Sequence, residues 1–341
     1  MIRHAEAEGN LYRRANGQFD GKVTRRGEMQ IAQLAKRFEN EKIDAVYASD
    51  LSRTCLTAEA IYKPFGLPLN KDKRLREVNM GEWEDEPWGN LGCLESGMLT
   101  HFNLDPAKWS VEGSESYQTV IERVKECLCE IAEAHKGQTV AVFSHGFAIR
   151  SLLSELMGIK SHETRKISYC DNTAVALLVY ENGALTIEYH NDNSHLSDDV
   201  STFAHQNWWR GTSPQYWEKE NLSFFAAEAK RDEEMLSLCD RGVCSAYAVF
   251  LDGEPVGIVG LDTEKDHGEN AGWIDCIFVK PEYIDKGYEI QLIGQGISKF
   301  RKLGRKKLRF NASVNDTEYY LNFGFRRFAE TPDGVVMEVE I

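Results

Sequence analysis

The stretch TVAVFS, residues 139–144, runs straight into His145-Gly146 and then into FAIRSLLSELMG, residues 147–158. No other feature restricts the fold as much. A short, nearly continuous apolar run is the signature of a strand covered on both faces of a sheet. The run that follows has helical apolar spacing and a natural stop at Gly158. A buried strand that passes through a two-residue turn into a helix implies a largely parallel α/β sheet. In such sheets ligands bind beyond the carboxyl ends of the strands, where His145 stands.

The surrounding sequence repeats this alternation. Residues 24–38 carry apolar side chains at helical spacing, AVYA at 45–48 reads as a short buried strand, and a helix is predicted over 52–63. Residues 116–135 form a long amphipathic pattern, with Tyr117, Val120, Ile121, Val124, Leu128 and Ile131 on one side. TAVALLVY, Glu-Asn-Gly and ALTIEY read as a hairpin, with Asn182-Gly183 suited to a type I′ turn. About the first 190 residues are therefore predicted to form an α/β domain.

Residues 191–214 are predicted to be a linker or junction; 191–202 are polar and turn-rich, and Phe203, Trp208, Trp209 and Tyr216 form an aromatic cluster around its end. From 215 to 341 the pattern changes. A helix is predicted over about 216–238, a hairpin over 246–262 turning at Asp252-Gly253, and a strand over 273–279. A helix over 288–304, a strand over 306–313, a short helix over 317–324 and a final strand follow. That is an α+β domain around one mostly antiparallel sheet.

Charge and cysteine content narrow the partners. The 40 basic and 54 acidic residues give a net charge of −14, a poor basis for sequence-general nucleic-acid binding. RKLGRKKLR at 301–309 holds six basic residues in nine, but it straddles a helix end, where cations favour the dipole. No run approaches the ~20 apolar residues of a membrane helix. Cys55, Cys93, Cys127, Cys129, Cys170, Cys239, Cys244 and Cys276 show no CxxC and no zinc spacing, so they are read as reduced thiols of a cytoplasmic protein. Neither nucleic acid nor membrane is an expected partner.

Arg3-His4 stands where an initial strand should end, His145 where another ends, and Arg53 just after a third; Glu77 lies in LREVNMGEWED. Guanidinium forks neutralise phosphate oxygens, a neutral imidazole attacks phosphorus, and a carboxylic acid protonates a leaving oxygen. The grouping is that of a phosphoryl-transfer pocket. RHAEAEGN, GQFDGKVTRRG, ASDLSRTCLTAEAI, LREVNMGEWED, GSESY and VFSHGFAIRSLL occur in that order. They resemble the motifs of the histidine phosphatase (phosphoglycerate mutase-like) superfamily over about residues 1–190. The resemblance implies a three-layer α/β/α domain, His4 as the nucleophile that becomes phosphohistidine, and Arg3, Arg53 and His145 as phosphate ligands. It adds Asn10 to the phosphate site, matches Glu77 to the proton donor, with Glu82 and Glu84 as rivals, and implies no metal. Ala5 replaces the usual glycine. Only Met1 and Ile2 precede Arg3, where the family has a longer apolar strand, so the native start is expected upstream. The GEWE context resembles the phosphatase branch more than the glycolytic mutases.

FVKPEYIDKGYEIQLIGQGISKF, NASVNDTEYYLNFGFRR and DGEPVGIVGL resemble the GNAT acyltransferase superfamily over about 215–341. This implies a GNAT-like α+β domain using acetyl-CoA, with the pyrophosphate on the backbone of Asp285, Lys286, Gly287, Tyr288 and Glu289. Tyr320 matches the tyrosine that protonates the leaving thiolate. Ile284 replaces a basic or amide residue of the loop motif, Glu289 a small one, and Ser313 an asparagine. A carboxylate beside a pyrophosphate is electrostatically unhelpful.

The leading expectation is metal-independent hydrolysis of a small phosphomonoester, coupled to a domain that binds acetyl-CoA and acetylates an amine. The alternatives are mutase-type phosphoryl transfer and an acyl-CoA-sensing regulatory protein. The segment 86–112, where substrate specificity should lie, has no readable chemistry.

Overall fold

A computed structural model describes residues 1–205, 215–218, 245–251, 254–263, 268–332 and 334–341. These residues fall into two compact units. One takes in Met1–Asn10, Ala15–Asp85 and the chain from Ser96 through the short helix at 202–205. The other takes in Leu11–Arg14, Glu86–Glu95 and the described residues from 215 onward.

The first unit is built on a six-stranded sheet of order β3-β2-β4-β1-β5-β6. Its strands are β1 (Ile2–Arg3), β2 (Ala45–Ala48), β3 (Leu69–Lys71), β4 (Val140–Ser144), β5 (Val175–Glu181) and β6 (Ala184–Asp192). β1, β2 and β3 join β4 in the parallel part, while β5 pairs antiparallel with β1 and with β6. β1 is two residues long yet central: Ile2 pairs with Phe143 on one side and Val175 on the other. It is buried with Leu34, Val46, Ile61 and Phe143 in one core. Ile2 thus supplies the buried centre of this strand.

Helices α1 (Glu8–Leu11), α2 (Arg25–Phe38), α3 (Ser52–Phe65), α5 (Ser96–Leu104), α6 (Tyr117–Ala134), α7 (Gly146–Leu156) and α8 (Thr202–His205) accompany these strands, whereas α4 (Trp88–Leu94) belongs to the second unit. Local chemistry explains their ends. Thr24 caps α2 by accepting from the Gly27 N–H at 3.1 Å, and Ser116 caps α6 through Thr119 N–H at 3.1 Å. The face of α6 foreseen from spacing is the face it buries. Asn182 and Gly183 both have positive φ, 52° and 82°, as a type I′ hairpin requires. No described helix is long and apolar enough to cross a membrane.

In the second unit, β7 (Gln215–Glu218), β8 (Ser245–Leu251), β9 (Glu254–Asp262), β10 (Ala271–Val279), β11 (Lys307–Ala312), β12 (Arg326–Thr331) and β13 (Gly334–Glu340) form a sheet of order β12-β13-β11-β10-β9-β8-β7. Only β10 and β11 run parallel. Helix α9 (Tyr288–Lys302) packs on the sheet, and α10 (Thr317–Leu321) follows β11. A Cβ at Gly272 would stand 2.3 Å from the Phe300 ring, so glycine permits this approach of helix to strand.

Two sequence expectations need correction here. Residues 216–218, predicted to open a helix, belong to β7, which pairs with β8; the rest of that helix lies outside the described residues. β12 has no counterpart in the sequence reading. It is an edge strand whose residues are exposed except Thr331, so it lacks the alternation that burial imposes. The Asp252-Gly253 turn, Trp208, Trp209, Cys239 and Cys244 also lie outside the described residues.

Candidate functional site

The carboxyl ends of β1, β4 and β2 bring together Arg3, His4, His145 and Arg53. His4 is 4% exposed, and His145 and Arg53 are fully buried. The two imidazoles face each other across the site at a tilt of 56°, with ring centroids 5.1 Å apart.

His4 has a defined tautomer. Its Nδ1 is 2.7 Å from the Ala5 carbonyl oxygen, which can only accept, so the proton is on Nδ1 and the lone pair on Nε2. Burial and the charges of Arg53 and Arg3 hold its pKa well below the usual histidine value. Burial, Arg53 and His4 do the same to His145. His4 is therefore a neutral imidazole at physiological pH.

Four donor or acceptor positions here have no protein partner: Arg3 Nε, Arg53 Nε, His145 Nδ1 and His145 Nε2. The other ends of both guanidiniums are anchored. Arg3 Nη1 donates to Cys170 O at 2.6 Å. Arg53 donates to Phe19 O (2.7 Å), Gly17 O (2.6 Å) and Asn16 O (3.1 Å). Burial lowers the Arg53 pKa to about 10, so the side chain stays charged. Each unpaired buried donor costs about 1–3 kcal/mol. Several converging on one buried point, with two fixed positive charges, suit a phosphate.

Glu77 lies at the start of α7. Its carboxylate accepts from Ala148 N–H (2.9 Å), Phe147 N–H (3.0 Å) and Val78 N–H (3.1 Å), and its charge acts on Arg53. His145 itself makes no side-chain cap; Glu77 supplies it. Of its rivals, Glu82 is exposed. Glu84 is occupied by Phe19, Gln18 and Met80 N–H groups at 2.7, 2.8 and 2.9 Å, which ties the 17–19 loop down. Asn10 turns inward to its own loop, where its Oδ1 accepts from Ala7 N–H at 3.1 Å and Asn172 Nδ2 at 3.3 Å.

Sequence reasoning missed two supporting residues. Arg123 donates to the carbonyls of Arg74, Arg76 and Glu77 and to both oxygens of Glu115. It thereby fixes the loop that presents Glu77. On an amphipathic helix its side chain reads as solvent-facing; Glu115 within GSESY was the only signal. Asn172 is buried and donates to His4 O at 2.9 Å. The segment 86–112 also contributes an unforeseen aromatic group. Phe102 stacks on Phe147 at 5.1 Å and contacts Trp109 and Trp83, close to the His145 turn.

The two histidines have a consequence for stability. The unfolded chain takes up their protons near 6.5 and the folded chain does not, so stability falls as pH falls through 6.5. One unit below that value the loss is about 1.4 kcal/mol for each histidine. The imidazole Cε1 resonances of His4 and His145 are expected to stay at the neutral position from pH 7.5 to 5.5, while urea stability declines. Titration of either resonance in that window would contradict the assignment.

In the second unit Gly287 (φ 70°) precedes α9 in the left-handed region, as does Asp285 (φ 61°). The Lys286 ammonium lies 5.0 Å over the Tyr283 ring, and Tyr288 is 2% exposed in the core. Glu289, in the first turn of α9, is half-buried and accepts a short hydrogen bond from the Tyr320 hydroxyl. Burial pushes its carboxyl pKa up, and the charges of Asp316 and Asp285 add to the push. Burial and Glu289 together push the Tyr320 phenol far up. Tyr320 packs against Phe310 at 4.7 Å and Tyr319 at 5.3 Å. The helix start offers backbone donors to an anion, but three carboxylates, Asp285, Glu289 and Asp316, stand around it against the cation Lys286. That donor set does not fit a pyrophosphate.

Comparison with known proteins accords with both units. Residues 1–193 match the histidine phosphatase superfamily (branch 1), and residues 204–325 the acetyltransferase (GNAT) family. A protein described as "Probable phosphoglycerate mutase GpmB" from Salmonella choleraesuis (strain SC-B67) is 30% identical over 201 residues, covering 58% of this chain and 93% of its own. The Bacillus stearothermophilus YhfR structure superposes with a TM-score of 0.56 at 26% identity, over 57% of this chain and 97% of that one. A mycobacterial glucosyl-3-phosphoglycerate phosphatase shares the fold, with a TM-score of 0.52 at 21% identity, over 57% of this chain and 98% of its own.

Proposed function

The chain belongs to the histidine phosphatase superfamily, and on that premise we propose that it hydrolyses a small phosphomonoester through a phosphohistidine on His4. The observation that carries this reading is the neutral His4, its Nε2 lone pair free, beside Arg3, Arg53 and His145 with buried polar atoms lacking partners.

Arg3, Arg53 and His145 hold the phosphoryl oxygens. The Nε2 lone pair of His4 attacks phosphorus as the bond to the ester oxygen breaks. Glu77, entering the cycle in its carboxylic acid form, gives the leaving oxygen a proton, and the oxygen departs as an alcohol. Water then attacks the phosphoryl group, gives its proton to Glu77, and the P–N bond breaks to release phosphate and neutral His4. No step calls for a metal ion. Phosphate release from p-nitrophenyl phosphate in EDTA tests the reading, together with acid-labile, base-stable labelling of the chain. Return of the phosphoryl group to a second hydroxyl of the same metabolite would instead mark a mutase.

In the second domain, Glu289 and Tyr320 support a role other than acetyl transfer, since the phenol is already committed to a carboxylate placed where an anionic cofactor would lie. The full chain is expected to show no rise in melting temperature with millimolar acetyl-CoA. Glu289→Gln, which keeps a partner for Tyr320 and removes a charge, is expected to tighten acetyl-CoA binding by about tenfold, or ~1.4 kcal/mol. Tight binding by the wild type would refute this.

A further inference from the structure

The stretch that reads as a polar linker is bonded into the catalytic loops. The first of these is the turn after His4. The Glu6 N–H donates to Gln30 Oε1 at 2.7 Å, and the buried Glu6 carboxylate accepts from Thr24 Oγ1 (2.8 Å), Thr202 Oγ1 (3.1 Å) and Arg26 (3.2 Å). Gln30, fully buried, donates to Thr202 Oγ1 at 2.8 Å and to Val200 O at 2.9 Å. Residues 200–202 therefore grip the chain two residues beyond the nucleophile.

The second loop is 171–173. Ser201 Oγ donates to Asp171 Oδ2 at 2.5 Å, and Asn193 Nδ2 donates to the same oxygen at 3.2 Å. Asp171 Oδ1 accepts from the Asn172 N–H at 2.8 Å. Asn172 Nδ2 and the Thr173 N–H both donate to the His4 carbonyl, at 2.9 and 3.4 Å. Thr173 has φ 60°, a left-handed conformation that a β-branched residue adopts only when its surroundings over-determine it. His195 Nε2 lies 3.0 Å from its hydroxyl. The partners that enforce this conformation thus come from residues 193–202, all but the first beyond the stretch that matches the phosphatase family.

We propose that residues 193–202 are a positioning strap of the phosphatase site, with Ser201 and Thr202 setting the alignment of His4 through Asp171–Asn172–Thr173 and through Glu6. The proposal rests on His4 being the nucleophile. Alignment of a nucleophile is lost through small displacements, and misplacement by about 1 Å can cost about a hundredfold in rate. Neither strap residue holds the phosphoryl group, so their loss should register in kcat more than in KM.

The test uses the full chain with p-nitrophenyl phosphate. Ser201→Ala is expected to lower kcat about 10- to 100-fold, with a much smaller change in KM and in inhibition by inorganic phosphate. Ser201→Thr, which keeps the hydroxyl and the cap on Ala204 N–H, is expected to restore the rate. If Ser201→Ala does not fold, the isosteric Thr202→Val takes its place, with the same split expected. Wild-type kcat in both variants, or loss of kcat in step with the unfolded fraction, would overturn the proposal. His4→Ala separates the two layers: full activity there strikes the phosphatase reading itself. An inactive His4→Ala beside fully active strap variants strikes only the strap.

Discussion

His4→Ala is expected to lower phosphate release by roughly four orders of magnitude or more, the scale seen when a catalytic nucleophile is removed. No neighbouring group can replace it. The other imidazole, His145, lies 5.1 Å away by ring centroids with both nitrogens buried and without a protein partner, and in the proposed mechanism it is committed to the phosphoryl oxygens. Arg3 and Arg53 are cations, and the half-buried Cys170 has its thiol pKa pushed up by desolvation. Inorganic phosphate should still bind the variant, because Arg3, Arg53 and His145 remain. Retained phosphate binding with lost turnover would separate chemistry from folding. EDTA should leave wild-type activity intact. Activity that survives the substitution, or that disappears on chelation, would exclude a phosphohistidine on His4.

The α/β half was legible because its strands are buried on both faces and its helices on one. AVYA at 45–48 and the 116–135 pattern were located to within a residue or two because their buried positions are apolar and, in the helix, recur on one face. The edges β3 and β12 were not legible: β3 is short, and β12 carries charged and exposed side chains that any loop could carry. Arg3, His4, Arg53 and His145 stand directly at or after strand ends, so sequence position alone brings them together. Arg123 and Asn172 act through carbonyl oxygens of distant loops, and backbone acceptors have no residue type to read. The polar stretch 191–202 misled for a related reason. Its Ser and Thr hydroxyls suit turns and solvent in isolation; here they are consumed by two buried carboxylates brought to them by the fold. Glu289 was read as unhelpful to an anion, but its hydrogen bond with Tyr320 depends on the packing of α10 against the start of α9 and was invisible.

Glu77→Gln should divide substrates by leaving group. With an alkyl phosphate, whose oxygen cannot depart unprotonated, loss of general acid assistance is expected to lower kcat by about 10²- to 10⁴-fold. With p-nitrophenyl phosphate, whose leaving anion is stable, the loss should be small. The difference between the two substrates is the informative quantity, because the substitution also disturbs structure. A glutamine can accept from only one of the Phe147 and Ala148 N–H groups through its oxygen, and its NH₂ would meet the other donor. That conflict at the first turn of α7 should lower stability and affect both substrates alike. Only proton donation separates them. Equal losses would reduce Glu77 to a helix cap. A leaving-group dependence appearing instead in Glu82→Gln would move the acid to that exposed carboxylate. Glu84 accepts three backbone N–H groups, as many as Glu77, but its bonds hold the 17–19 loop whose carbonyls anchor Arg53, and its charge acts on Arg53 less than that of Glu77. Glu84→Gln should therefore act through Arg53, weakening phosphate binding for every substrate without regard to its leaving group.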